Sequence, residues 1–147
     1  MKTLSATLIT AQSAGYPTGG VKPYIYCVFT SGATTYDYTF NPTLTTNRML
    51  RIEHHDELWD EWATIILRNQ DLAVPDLRGY YVDLKYGANT STGNEVPTES
   101  CGRMWVISQH EVSAPGILQV ELRLVGKMRI LQMQRTLIRA GRKREIR

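Results

Sequence analysis

Cysteine is scarce, with two in 147 residues. That excludes a disulfide-dense scaffold. No Cys-x-x-Cys pair and no paired-histidine spacing points to structural zinc. No apolar run approaches the roughly 20 residues of a membrane-spanning helix, so no membrane partner is expected. The glycine and serine signatures of common catalytic and phosphate-binding sites are missing: there is no G-x-S-x-G, no G-x-x-x-x-G-K-[ST] and no G-x-G-x-x-G. Leu4–Ile9 imitates the apolar core of a signal peptide only weakly, because it is short and broken by Ser5 and Thr7. It reads better as a strand. An intracellular origin would leave Cys27 and Cys101 reduced.

What is present suits one folded domain carrying a tail. The apolar fraction of 42% is ordinary for a folded chain and too high for a disordered one. Charge is distributed unevenly. Residues 1–126 hold nine basic and 13 acidic side chains, a balance of −4. Residues 127–147 hold eight basic ones and a single acid, a balance of +7. The expected division is therefore a β domain over 1–126 and a basic helix or tail over 127–147. A short block of like charge either seeks an anionic partner or stays solvated.

Alternating and β-branched segments recur along the chain. Lys2–Thr10 reads as a half-buried strand and Ala11–Gly20 as a loop. Tyr24–Thr30 and Thr34–Phe40, joined through Ser31-Gly32-Ala33, read as a hairpin, with Tyr36, Tyr38 and Phe40 on one face. Met49–His54 alternates. An acidic segment, Asp56–Glu61, separates it from a strand beginning at Trp62, where Thr64, Ile65 and Ile66 are consecutive β-branched residues. Gln70–Arg78 reads as a loop. Gly79–Tyr86 reads as a strand ended by Gly87, and Ala88–Gly102 as a long polar loop. Met104–Val112 and Ile117–Val125 read as two strands, the second placing Leu118, Val120, Leu122 and Leu124 on one side. After Gly126 the spacing of Met128, Leu131, Met133, Leu137 and Ile138 suits a helix. About eight short strands at this spacing predict a mainly β, antiparallel sandwich or barrel with a short C-terminal helix or basic tail.

Candidate chemistry is thin. His54, His55, Asp56 and Glu57 are metal-ligand types, but neighbours on a strand point to opposite faces and the spacing fails. Cys27, mid-strand, reads as a small buried hydrophobe. No histidine is placed beside Cys27 or Cys101 to make a nucleophile. No cofactor is implied and no catalytic residue stands out, so the chain is not expected to be an enzyme. Asp56, Glu57, Asp60 and Glu61 beside Trp59 and Trp62 could form a sugar-binding or glycosidase site, or a solvated acidic segment anchored by its tryptophans. Tyrosine is plentiful. Tyr80, Tyr81, Trp59 and Trp62 are candidate interface residues. Arg139, Arg142, Lys143, Arg144 and Arg147 are candidate contacts to an anionic partner.

The stretches Met49–His54, Trp62–Asn69 and Asp76–Gly87 together resemble the baseplate-hub and tail-tube-like proteins of tailed bacteriophages. There, a strand leads through a short loop to a second strand ending in a tyrosine–glycine pair. Trp105–Val125, with Ser113-Ala114-Pro115-Gly116 as linker, resembles the strand pair that follows. The resemblance covers about half the chain and rests on backbone punctuation. It implies a virion structural protein that assembles with copies of itself, as a ring or tube, and with other tail proteins. The tail would dock on an acidic neighbour or face DNA. The competing expectations are an OB-like nucleic-acid-binding barrel and a carbohydrate-binding β module.

Overall fold

A computed structural model describes residues 6–13, 21–57, 59–90, 93–97 and 101–142. Among the described residues are eight strands and two helices. These are α1 (Ala6–Ser13), β1 (Lys22–Ser31), β2 (Thr34–Asp37), β3 (Met49–His55), β4 (Trp62–Arg68), β5 (Tyr81–Thr90), β6 (Gly93–Glu95), β7 (Met104–Ala114), β8 (Ile117–Gly126) and α2 (Lys127–Arg142). All strand pairings are antiparallel and join into one sheet of order β2-β1-β5-β7-β8-β4-β3, with β6 hung on β5.

The mainly β, eight-stranded antiparallel class with a C-terminal helix is as the sequence predicts. The sheet does not close into a barrel, since β2 and β3 stand at its two ends. Its weakest joint lies between β5 and β7, where only Tyr81↔Trp105 and Val82↔Met104 are in register. Beyond that joint, Cys101 takes over beside β5, donating its backbone N–H to the Leu84 carbonyl at 2.9 Å. The sheet thereby divides into two wings, and both supply the same core. Cys27, Phe29, Val82 and Leu84 come from one wing. Ile65, Leu67, Met104, Val106, Val120, Leu122 and Leu124 come from the other. The strict alternation of β8 is thus used as expected, with Val120, Leu122 and Leu124 inward.

Three local expectations are corrected. Residues 6–13 form a helix rather than part of a strand over Lys2–Thr10. The hydroxyls of Thr10 and Ser13 donate back to the carbonyls of Ala6 and Thr10, both at 2.9 Å, and the helix lies beside β5 without joining the sheet. Gly87 does not end β5. It pairs with Tyr24 inside the ladder, and its missing side chain admits β6: a Cβ there would lie 2.1 Å from the Glu95 carbonyl oxygen. The expected loop from Ala88 therefore continues β5 to Thr90 and returns as β6.

The β7–β8 hairpin runs ten pairs, from Met104↔Gly126 to Ala114↔Ile117, with an irregularity between Val106 and Ser108. β4 covers β8 only between Gln119 and Val125. The outer part of the hairpin consequently projects as an arm, exposed from His110 to Ile117.

Candidate assembly surfaces and the groove at the helix root

One register row crosses the outward face of the sheet. Tyr81 opposes Trp105, Trp105 opposes Val125, Val125 opposes Trp62, and Trp62 opposes His55. Directly opposed residues share a face. The alternating neighbours Val82, Met104 and Ala63 are fully buried in the core. Four aromatic rings from β5, β7, β4 and β3 therefore lie in line on the far side, with Val125 buried among them. His55 stacks on Trp62 at 5.5 Å between ring centroids. The Arg103 guanidinium sits over the Tyr81 ring at 4.3 Å, within cation–π range.

The segment linking β3 to β4 is strapped to the junction of β8 and α2. The Glu61 carbonyl accepts the Gly126 N–H at 2.8 Å. Asp60 forms an ion pair with Arg129 of α2. The Glu61 carboxylate occupies a slot between two glycines. A Cβ on Gly102 would come within 2.6 Å of Glu61 Oε2, and one on Gly126 within 2.7 Å of the same atom. Oε1 lies 3.7 Å from His54 Nε2, with side-chain exposures of 8% for His54 and 18% for Glu61. Oε1 accepts no hydrogen bond from the described residues. Burial, and after it the charge of Asp56, push the Glu61 carboxyl above its ordinary range.

Outside this slot opens a groove of about 380 Å³ lined by Trp59, Glu61, Gly102, Arg103, Trp105, Lys127 and Met128. A second depression, of about 320 Å³, lies beside β2 between Tyr24, Asp37, Leu44 and Arg48.

The expected site residues are sorted as follows. Trp59 is 59% exposed and stands at the groove, so it does not anchor its segment in the core. Trp62 is half-buried against His55. Tyr81 lies in the aromatic row under Arg103. Tyr80 packs against the core and against Tyr36, 5.8 Å away, so much of its ring is used internally. His54 is not at a solvated strand end. Its side chain is largely covered and stacked on Tyr86 of the opposite wing at 5.6 Å. Among the described residues no group of three or more His, Cys, Asp or Glu could hold a metal ion. Arg139 and Arg142 belong to α2. Lys143, Arg144 and Arg147 lie outside the described residues. The sequence reading paired Trp59 with Trp62 and missed Trp105, which strand pairing brings to the groove from more than 40 residues away.

Two further features face outward without cover from the described residues. Ile107, at the irregularity of β7, and Val112 and Ile117, on the arm, are exposed. On α2, Met128, Leu131 and Met133 are exposed, and the helix meets the sheet chiefly at β8.

Comparison with protein-family models, with curated proteins and with solved structures finds no match.

Proposed function

We propose that the protein is a non-enzymatic structural component of a phage-like tail or baseplate, assembling with copies of itself into a ring or tube. The observation that carries the assembly half is the projecting β7–β8 arm. Past Gln109, whose side chain bonds the Pro75–Leu77 segment, no strand among the described residues lies beside the outer edge of β7, while Val112 is 46% and Ile117 49% exposed. An open strand edge with apolar side chains is a template for pairing with another chain. β2 and β3, at the ends of the sheet, offer the complementary edges. Such head-to-tail contacts close into rings or extend into tubes. The opposite charges of residues 1–126 and 127–147 favour the same polarity between neighbouring copies.

The tail half of the reading rests on the resemblance of Met49–Gly87 and Trp105–Val125 to baseplate-hub and tail-tube-like proteins. It places the protein in the virion, assembled in the host cytoplasm beside other tail proteins.

Light scattering over a range of protein concentrations, with negative-stain images of the same sample, tests the assembly. Masses at multiples of the chain and annular particles are expected, and Val112→Asp on the arm should abolish both. A monomer at every concentration overturns self-assembly. Deleting residues 127–147 asks separately whether α2 takes part, and unchanged assembly removes it from the account.

One observation favours DNA as a further partner. α2 carries Lys127, Arg129, Arg135, Arg139 and Arg142 with no acidic residue. Phosphate-driven binding through this helix would weaken steeply as salt rises. A flat salt dependence argues against it.

A further inference from the structure

We infer that the groove at the root of α2 is a binding site for a neutral glycan, with a sugar ring held between Trp59 and Trp105 and its hydroxyls bonded to Glu61 and Lys127. The inference does not depend on the assembly reading.

The groove's charges select the ligand class. Glu61 is acidic, while Arg103 and Lys127 are basic. A simple anion would meet the carboxylate and a simple cation would meet the two basic groups, so neither is well served. A polyol gains from both, because each hydroxyl can donate to a carboxylate and accept from an ammonium or guanidinium. Glu61 lines the groove; its Oε1 is buried towards His54, which leaves Oε2 to meet the ligand.

The walls point the same way. Trp59, 59% exposed, is a large apolar ring standing in solvent beside a concavity. Large aromatics in that position mark recognition sites more than packing. A sugar ring has an apolar face of C–H groups that can lie on an indole and a rim of hydroxyls for the polar groups around it. The groove's size, about 380 Å³, falls at the lower end of small-ligand sites, about 300–1,000 Å³. It suits one or two rings rather than a buried cofactor. The aromatic row offers a path outward for a longer chain, since Trp105 is directly opposed to Tyr81.

The site is also held in shape before any ligand arrives. Asp60–Arg129 and the Glu61–Gly126 backbone bond fix the Trp59–Glu61 segment to the start of α2. The two glycines leave room for the carboxylate at the groove's inner end. Preorganisation of this kind lowers the ordering cost of binding.

The test uses the full chain and follows tryptophan emission during titration with maltohexaose, cellohexaose, chitohexaose and mannohexaose at millimolar concentrations. At least one should give a saturable change in emission. Trp59→Ala, at an exposed position, should weaken that binding by about ten-fold or more, and Glu61→Gln should weaken it too. Val112→Asp, which targets assembly, should leave it intact. The inference is overturned if none of the four sugars changes the emission. It is equally overturned if Trp59→Ala binds as well as the parent chain. It also fails if the emission responds only to protein concentration, in which case a second copy fills the groove.

Discussion

His54 Nε2 and Glu61 Oε1 face each other at 3.7 Å across the turn that joins β3 to β4, both side chains largely buried. The imidazole is stacked on Tyr86 of the other wing. The carboxylate is wedged against Gly102 and Gly126. One pair of side chains thus touches β3, β5, the lead into β7 and the β8–α2 junction.

Protonation of Glu61 should tune stability. Its folded-state titration lies above the ordinary value of 4.5, first because of burial and then because of Asp56. Below 4.5 both folded and unfolded chains keep the proton, and this group contributes no pH dependence. As pH rises through the interval up to the folded-state value, the unfolded chain releases its proton more readily, so folding loses stability. Glu61→Gln stays neutral throughout. Urea midpoints measured from mildly acidic to neutral pH should therefore shift in favour of Glu61→Gln as pH rises. Parallel curves for the two proteins would refute the account.

The two glycines of the slot should differ in their sensitivity to a methyl group. A Cβ on Gly102 would meet only the far end of Glu61, which can rotate away. On Gly126 it would also come within 2.9 Å of Glu61 Cβ and 3.3 Å of its carbonyl oxygen, next to the backbone hydrogen bond. Gly126→Ala should cost about 1–3 kcal/mol, and Gly102→Ala clearly less. Chemical denaturation of the two variants checks the order.

Two positions on β8 should separate core from surface. Leu122 is fully buried, and Leu122→Ala should cost about 2–5 kcal/mol through lost burial and the cavity left behind. Ile117 is half-exposed on the arm, and Ile117→Ser should change the stability of the isolated chain by about 0.5 kcal/mol or less. The same Ile117→Ser should weaken assembly, as read by light scattering at matched concentrations.

Both thiols should be silent in the folded protein. Cys27 is fully buried, and burial pushes its thiol well above the ordinary range. Cys101 is also buried. Ellman's reagent should titrate neither thiol in buffer and both in denaturant. Rapid reaction at Cys101 before unfolding would mean that its segment opens independently.

The strands were legible in the sequence where their causes are local. β1 and β2 read as a hairpin, β3, β4, β7 and β8 read as strands from alternation, β-branching and nearby turn residues, and the inward set of β8 follows from period two alone. The burial of Cys27 followed from its neighbours in a β-rich run. The errors arose where the deciding partner is remote. Residues 6–13 have strand-like composition, yet they lie outside the sheet. Gly87 reads as a terminator until β6 is found to cross it. The candidate groove depended most on remote pairing. Trp59 was singled out, but Trp105 joins it only through the β5–β7–β8–β4 order, which periodicity does not encode.

The position of β8 has a consequence for how the chain comes off the ribosome. Among the described residues β8 is the last strand in chain order, yet it lies between β7 and β4 and supplies Val120, Leu122 and Leu124 to the core. The β3–β4 hairpin emerges some 50 residues earlier and must wait with the inner edge of β4 bare. The wing it belongs to is completed only when residues 117–126 arrive. Until then β4 presents Ala63, Ile65 and Leu67 with half their lining absent, so the nascent chain is most vulnerable to wrong partners during that interval.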